Sequence, residues 1–386
     1  MSSAAVTPPP DRAAPAWLTP LNVLFLAVPA AVALKLAGVG GAWMFAAAAL
    51  AIVPLAGVIG KATEVLAARA GPGIGGLLNA TFGNATELIV ALVMLSRGPE
   101  LYPVVKATLT GSIIGNLLLV LGAAILAGGL RYRQQTFNRS AAGVGTTLMA
   151  LAAAGLLLPT LFSYLHRPAG PGDARRVENL SEEIAVILIA LYGLSLVFAL
   201  KTHAYLYRGN RSDAAEAATG PADHGGPHWG VWTALAAMLA ATVAVAFLSE
   251  WLVGAIEPAA RALGMNGVFI GVIVVAIVGN AAEHFSAVQM AWENRLEVSV
   301  QIAVSSSTQI ALFVAPVLVF ASLLTGHPRP LDLHFTPLEV VAVFLSVAVV
   351  SLVSHDGESN WLEGAMLVAL YLILALAFYN LPAGAA

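Results

Sequence analysis

The chain has 386 residues, 59% of them hydrophobic and only 10% charged, with a mean hydropathy of +0.85 and a formal net charge of −3. A water-soluble protein carries about 25% charged residues, so a globule with a water-exposed surface is excluded. The lack of cysteine rules out disulfides, thiolate ligands and thiol chemistry, and no basic tract suits a nucleic acid.

Residues 1–20 are rich in Pro and Ala and lack a signal peptide's basic start, apolar centre and small-residue cleavage site, so a disordered cytoplasmic tail is expected there. Apolar runs follow near 21–37, 42–66, 73–96, 103–129, 141–163, 181–206, 229–253, 266–290, 297–324, 335–353 and 361–380. Most of them approach or exceed the roughly 18 residues that cross a bilayer, and they are continuous rather than alternating. The fold class predicted is therefore an all-α polytopic membrane protein with about 11 transmembrane helices. A polar link at 207–228 divides it. The domains expected are a leading helix (21–37), a first five-helix repeat (42–206), the link, a second five-helix repeat (229–380) and a C-terminal tail (381–386).

The two fives repeat one another in sequence. TFGNATELIV (81–90) in the first is answered by IVGNAAEHFS (277–286) in the second, which places Glu87 and Glu283 196 positions apart. In the following crossing GSIIGNLLLV (111–120) is answered by SSSTQIALFV (305–314) at an offset of 194. Similarity over this distance implies duplication, and an odd number of crossings per unit gives the two units opposite orientations. Inverted repeats of this kind characterise secondary transporters, whose ion sites lie between the repeats near the midplane. Lys and Arg, among them Arg131, Arg133, Arg139, Lys201 and Arg295, favour the side that holds the N-terminus over the side holding Arg97, Arg175, Arg176, Arg261 and Arg329. The bias puts the N-terminus in the cytoplasm and the C-terminus outside.

An ionised carboxyl amid apolar sequence costs roughly 2.5 kcal/mol or more unless it is paired, protonated or bound to a metal. No Lys or Arg lies within a turn of Glu87 or Glu283. Lys106, one crossing on, could pair with Glu87, but its counterpart is near Gln301, so pairing does not explain both acids. A cation held between the two carboxylates explains both, and its departure leaves two charges that protons neutralise. Asn84, Asn280, Ser112, Ser306 and Gln309 supply further oxygens, with Thr81, Thr86 and Ser307 as additional hydroxyls. Gly83 and Gly279 are read as helix breaks that free backbone carbonyls. An all-oxygen set with two acids suits calcium, which takes six to eight oxygens at roughly 2.3–2.6 Å. His284 and Lys106 are candidates for relaying protons or tuning the field. A lone imidazole makes no zinc or copper site.

The motifs GLLNATFGNATELIVAL (76–92), KATLTGSIIGNLLLVLG (106–122), GNAAEHFSAVQMAWENR (279–295) and QIAVSSSTQIALFVAP (301–316) resemble those of the proton-coupled calcium exchangers, a branch of the calcium/cation antiporter superfamily. The resemblance covers nearly all of the chain from about residue 20 onward. It implies one leading helix plus two inverted fives, and alternate binding of calcium and protons at Glu87 and Glu283. Asn84, Asn280, Ser112, Ser306 and Gln309 fall on the family's neighbouring polar positions, and His284 on its histidine. It further implies export of cytosolic calcium across a bacterial plasma membrane. No cofactor and no enzymatic reaction are expected; the partners are calcium, protons and the lipid bilayer. Two departures from the family stand out: Ser305 replaces the usual Gly, and the middle link lacks the long acidic run of many members, so no regulatory cation site is expected there. The residues alone leave open an alternative, exchange of sodium or potassium for protons by the same fold. A channel and an intramembrane hydrolase fit less well, since neither a ring of acids nor a His-Glu-x-x-His motif occurs.

Overall fold

The structure is a computed structural model that describes residues 23–165, 171–206 and 229–382. The expected tail at 1–20, the link at 207–228 and residues 383–386 of the C-terminal tail lie outside the described residues. Eleven helices are labelled in chain order: α1 (Ala27–Leu36), α2 (Gly41–Phe82), α3 (Ala85–Arg97), α4 (Pro99–Arg131), α5 (Arg139–Leu165) and α6 (Arg175–Thr202) come first. After the link stand α7 (Val231–Leu263), α8 (Gly267–Trp292), α9 (Leu296–Leu323), α10 (Pro337–Val353) and α11 (Trp361–Tyr379). Among the described residues eight helices are long and apolar enough to cross a membrane, and Leu24–Leu36 and Pro337–Val353 are shorter apolar helices. The protein is a polytopic helical membrane protein. A two-residue antiparallel pairing of β1 (Gln135–Thr136) with β2 (Glu358–Ser359) ties the start of α5 to the start of α11.

Helix boundaries depart from the hydropathy reading in one region. The expected second and third crossings are joined in α2, which bends at Gly71 (φ 80°, ψ 170°), a backbone geometry open to glycine and strained for other residues. The third crossing is instead interrupted at Gly83–Asn84, where Asn84 leaves helical geometry (φ −101°, ψ 26°) before α3 begins.

Packing follows an exchange pattern. α2 lies along α7; α2 also packs on α8 while α7 packs on α3; α5 and α6 pack on α9 while α10 and α11 pack on α4. Each of these contacts between the helices before the link and those after it thus has a partner in the reversed direction. The helices at the centre carry π-helical turns, at Gly115–Val120 in α4, Ile270–Val275 in α8 and Ile310–Val314 in α9. Such a turn inserts an extra residue, shifts the register of the helix face and leaves side chains aimed differently from a regular helix.

The segment between α9 and α10 is fixed to the bundle. Lys106 Nζ binds Asp332 Oδ1 at 2.6 Å and the His334 carbonyl at 2.7 Å, and the backbone amides of Leu333 and Phe335 donate to Ser181 and Thr160. Lys106→Met removes the cation from a partly buried pair and leaves Asp332, which keeps some solvent contact, without it. A loss of about 1–2 kcal/mol is expected after discounting for that exposure. Thermal melting in detergent measures it, and Asp332→Asn in the same assay should cost no more than Lys106→Met.

Candidate ion-binding site

Asn84 and Glu87 stand three residues apart at the start of α3, as do Asn280 and Glu283 in α8, so each pair shares a helix face. Those faces meet the polar faces of α4 and α9. The Asn84 side-chain amide donates to Gln309 Oε1, and its own Oδ1 accepts from the Ser306 hydroxyl at 3.0 Å. Ser306 Oγ accepts from Asn116 Nδ2 at 3.0 Å, and Asn116 also donates to Asn280 Oδ1 at 3.3 Å. Asn280 Nδ2 in turn donates to Ser112 Oγ at 3.0 Å and to the Ala276 carbonyl at 2.9 Å. One buried chain of hydrogen bonds therefore runs Gln309, Asn84, Ser306, Asn116, Asn280, Ser112 and joins the two halves of the sequence. Asn84, Asn116 and Asn280 are each only 1% exposed, so water does not compete for these bonds. Every amide in the chain has a partner, and such a network fixes its members in place.

The two acids border this chain. Glu87 and Glu283 are near enough to interact electrostatically. Each carboxyl keeps one buried oxygen, Oε2, with no hydrogen-bond partner. These two oxygens lie beside a network whose own members are bonded to one another. Glu87 also lines a small cavity of about 10 Å³ together with Thr108, Ser112 and Gly279, and Glu283 is not in its wall. No cluster of three or more His, Cys, Asp or Glu occurs among the described residues. A cation shared by Glu87 and Glu283 would therefore have only these two carboxylates and neutral oxygens as ligands.

The remaining sequence expectations fall out as follows. Gly83 does stand at the helix interruption. Gly279 does not: it lies inside regular α8, and its place is explained by closeness. A Cβ there would stand 3.2 Å from Glu87 Cγ and 3.3 Å from Glu87 Oε1, so the missing side chain is the bed on which the Glu87 carboxyl rests. Lys106 is not a partner of Glu87, because Asp332 and the His334 carbonyl claim its ammonium. His284 follows Glu283 directly and so points about 100° away around α8; its Nε2 is buried without a partner, outside the hydrogen-bonded chain. The hydroxyls of Thr81 and Ser307 donate to carbonyls one turn back in their own helices. Asn116, the central member of the network, was not among the expected residues. Its counterpart at the 194 offset is Ile310, so comparison of the repeats passes over it, although an amide within an apolar run was itself a signal.

A polytopic helical bundle whose repeated motifs meet in a polar centre with two partnerless carboxyl oxygens has the make-up of an ion carrier. The chain belongs to the family described as "Sodium/calcium exchanger protein", which it matches over residues 40–201 and 233–380. It is 47% identical over 344 residues to a Ca(2+)/H(+) antiporter of Aphanothece halophytica, covering 88% of this chain and 90% of that protein. It is 43% identical over 365 residues to the Ca(2+)/H(+) antiporter ChaA of Bacillus subtilis (strain 168), covering 93% and 99%. The solved structure of native YfkE superposes with a TM-score of 0.77 at 40% identity, over 94% of this chain and 100% of that one.

Proposed function

We propose that the chain is a calcium/proton antiporter that expels cytosolic calcium in exchange for protons. The observation that carries this reading is the placement of Glu87 and Glu283, one from each half, with a bare oxygen apiece beside a single hydrogen-bonded network. With calcium between them both carboxylates stay charged and the amide and hydroxyl oxygens of Asn84, Asn280, Ser112 and Ser306 are at hand to complete its shell. Without calcium, two buried negative charges repel and lack hydration, and protons take the cation's place. One site that holds either calcium or protons, and never nothing, couples their movements in opposite directions. The names borne by the relatives support calcium and protons over the sodium or potassium alternative.

The reading includes about 11 crossings, one leading helix and two inverted fives, for which the exchange pattern of helix contacts is the support. Alternating access then arises as the fives swap their packing. The protein would lie in a bacterial inner membrane with its N-terminus in the cytoplasm.

The test uses the purified chain in liposomes with an imposed pH gradient and radioactive calcium. Calcium should accumulate against its own gradient on the acidic side, and a protonophore should stop this. A tenfold excess of sodium or potassium should leave the flux within about twofold of its value. Flux that ignores the proton gradient, or that sodium or potassium carries in calcium's stead, would sink the proposal.

A further inference from the structure

At the 194 offset, Ala107, Gly111 and Gly115 of α4 answer Gln301, Ser305 and Gln309 of α9. The two faces are built in opposite ways. On α4 all three residues are buried and none carries a side-chain oxygen. The π-helical turn of α8 is pressed onto this face: a Cβ at Gly111 would lie 2.0 Å from the Val272 carbonyl oxygen, and one at Gly271 would lie 2.7 Å from the Ala107 Cβ. On α9 the residues are polar and spaced by four, which puts them in one row. Gln301 and Ser305 are exposed and Gln309 half-buried, and the row lines a cavity of about 260 Å³ between α5, α6 and α9. The wall of that cavity runs from Phe137, Asn138 and Glu297 at one end of the bundle to Gln309 and Asn79 within it. Gln309 donates to Ser305 Oγ at 3.4 Å and accepts from Asn84, so the cavity is wired by hydrogen bonds into the network beside the acids.

We propose that this cavity is the route by which a hydrated divalent cation reaches Glu87 and Glu283, with Gln301 and Ser305 as positioning residues along it. The inference rests on the exchanger reading above and adds the route and the residues that line it. A cation that sheds water needs replacement dipoles along the way, and an amide and a hydroxyl one turn apart provide them. The volume admits a cation with several waters. The mirror face on α4 is closed at Ala107 and Gly111, where α8 is pressed onto it, offers no side-chain oxygen, and serves as the seal toward the other end. The open end carries Arg131, Arg133 and Arg139, the cytoplasmic end in the orientation proposed above.

The chain contains no cysteine, so single replacements report access without further engineering. Gln301→Cys and Ser305→Cys are compared with Gly115→Cys, which mirrors Gln309 and where a Cβ meets nothing within 4 Å. The probe is a charged methanethiosulfonate reagent applied to protein that remains monodisperse. Cysteine at 301 or 305 should react at least 100-fold faster than at 115, and the adduct should lower calcium flux at least tenfold relative to the same variant before labelling. Comparable rates at 305 and 115, inert cysteines at 301 and 305, or unchanged flux after complete labelling would each overturn the route. Labelling rates are read without transport: an unsubstituted chain that moves no calcium against protons sinks the exchange reading, whereas a flat labelling pattern sinks this one.

Discussion

Glu87→Gln and Glu283→Gln should each lower proton-driven calcium flux at least 100-fold while leaving the helical fold intact. Gln has the shape of Glu, so the packing of position 87 on Gly279 is kept. What is lost is a charge and an exchangeable proton. One buried carboxylate facing a divalent ion leaves a net positive charge that the surroundings do not balance, a cost of several kcal/mol in that setting. A 100-fold loss corresponds to about 2.7 kcal/mol, well inside that range. Binding can be read separately from transport. A ligand at 100 times its Kd stabilises a protein by about 2.7 kcal/mol, so calcium should raise the melting temperature of the unsubstituted chain and fail to do so for either variant. A variant that still shows the calcium-dependent shift and normal flux would mean that the acid concerned is structural. Losing both signals in one variant alone would mean that the two halves do not share one ion.

The parts of this protein that could be read from its sequence are those whose chemistry conflicts with a membrane. Glu87 and Glu283 stood out because charge in an apolar run is costly, and their repetition turned two oddities into one pattern. Asn84, Asn280, Ser112, Ser306 and Gln309 followed from adjacency to that pattern, and the structure brings all five into one hydrogen-bonded chain. What stayed hidden depends on contacts between distant segments. Asp332, 226 residues from Lys106, claims its ammonium from a connection that has no repeat to advertise it. Asn116 has an isoleucine for a counterpart, and so repetition worked against finding it. Gly279 was read for its own flexibility, whereas its significance is the side chain that another helix lays upon it. Helix ends were equally opaque around Gly71 and Gly83, since hydropathy measures length of apolar sequence and not backbone direction.

Gly111→Ala is expected to destabilise the bundle strongly, although it adds a single methyl group. In an ordinary helix interior alanine is favoured over glycine by about 1 kcal/mol, so by local preference this substitution should stabilise α4. The contact with α8 reverses the sign. The new Cβ would sit 2.0 Å from the Val272 carbonyl oxygen and 2.6 Å from its Cα, atoms of backbone that no rotamer change can move. α4 and α8 must separate by about an ångström, and with them the faces that bring Asn116 to Asn280 and Ser112 to Asn280. Overpacking costs typically about 1–3 kcal/mol when side chains can yield, and a backbone-to-backbone clash belongs at or beyond the top of that range. Melting in detergent should show a loss of about 3 kcal/mol or more, or a failure to accumulate folded protein. Ser305→Ala at the mirror position lies on the open cavity and adds no atom, removing only a long hydrogen bond from Gln309, so its melting temperature should barely move. Equal effects at 111 and 305 would mean that the two faces are packed alike, and the distinction between a sealed end and an open one would fall with it.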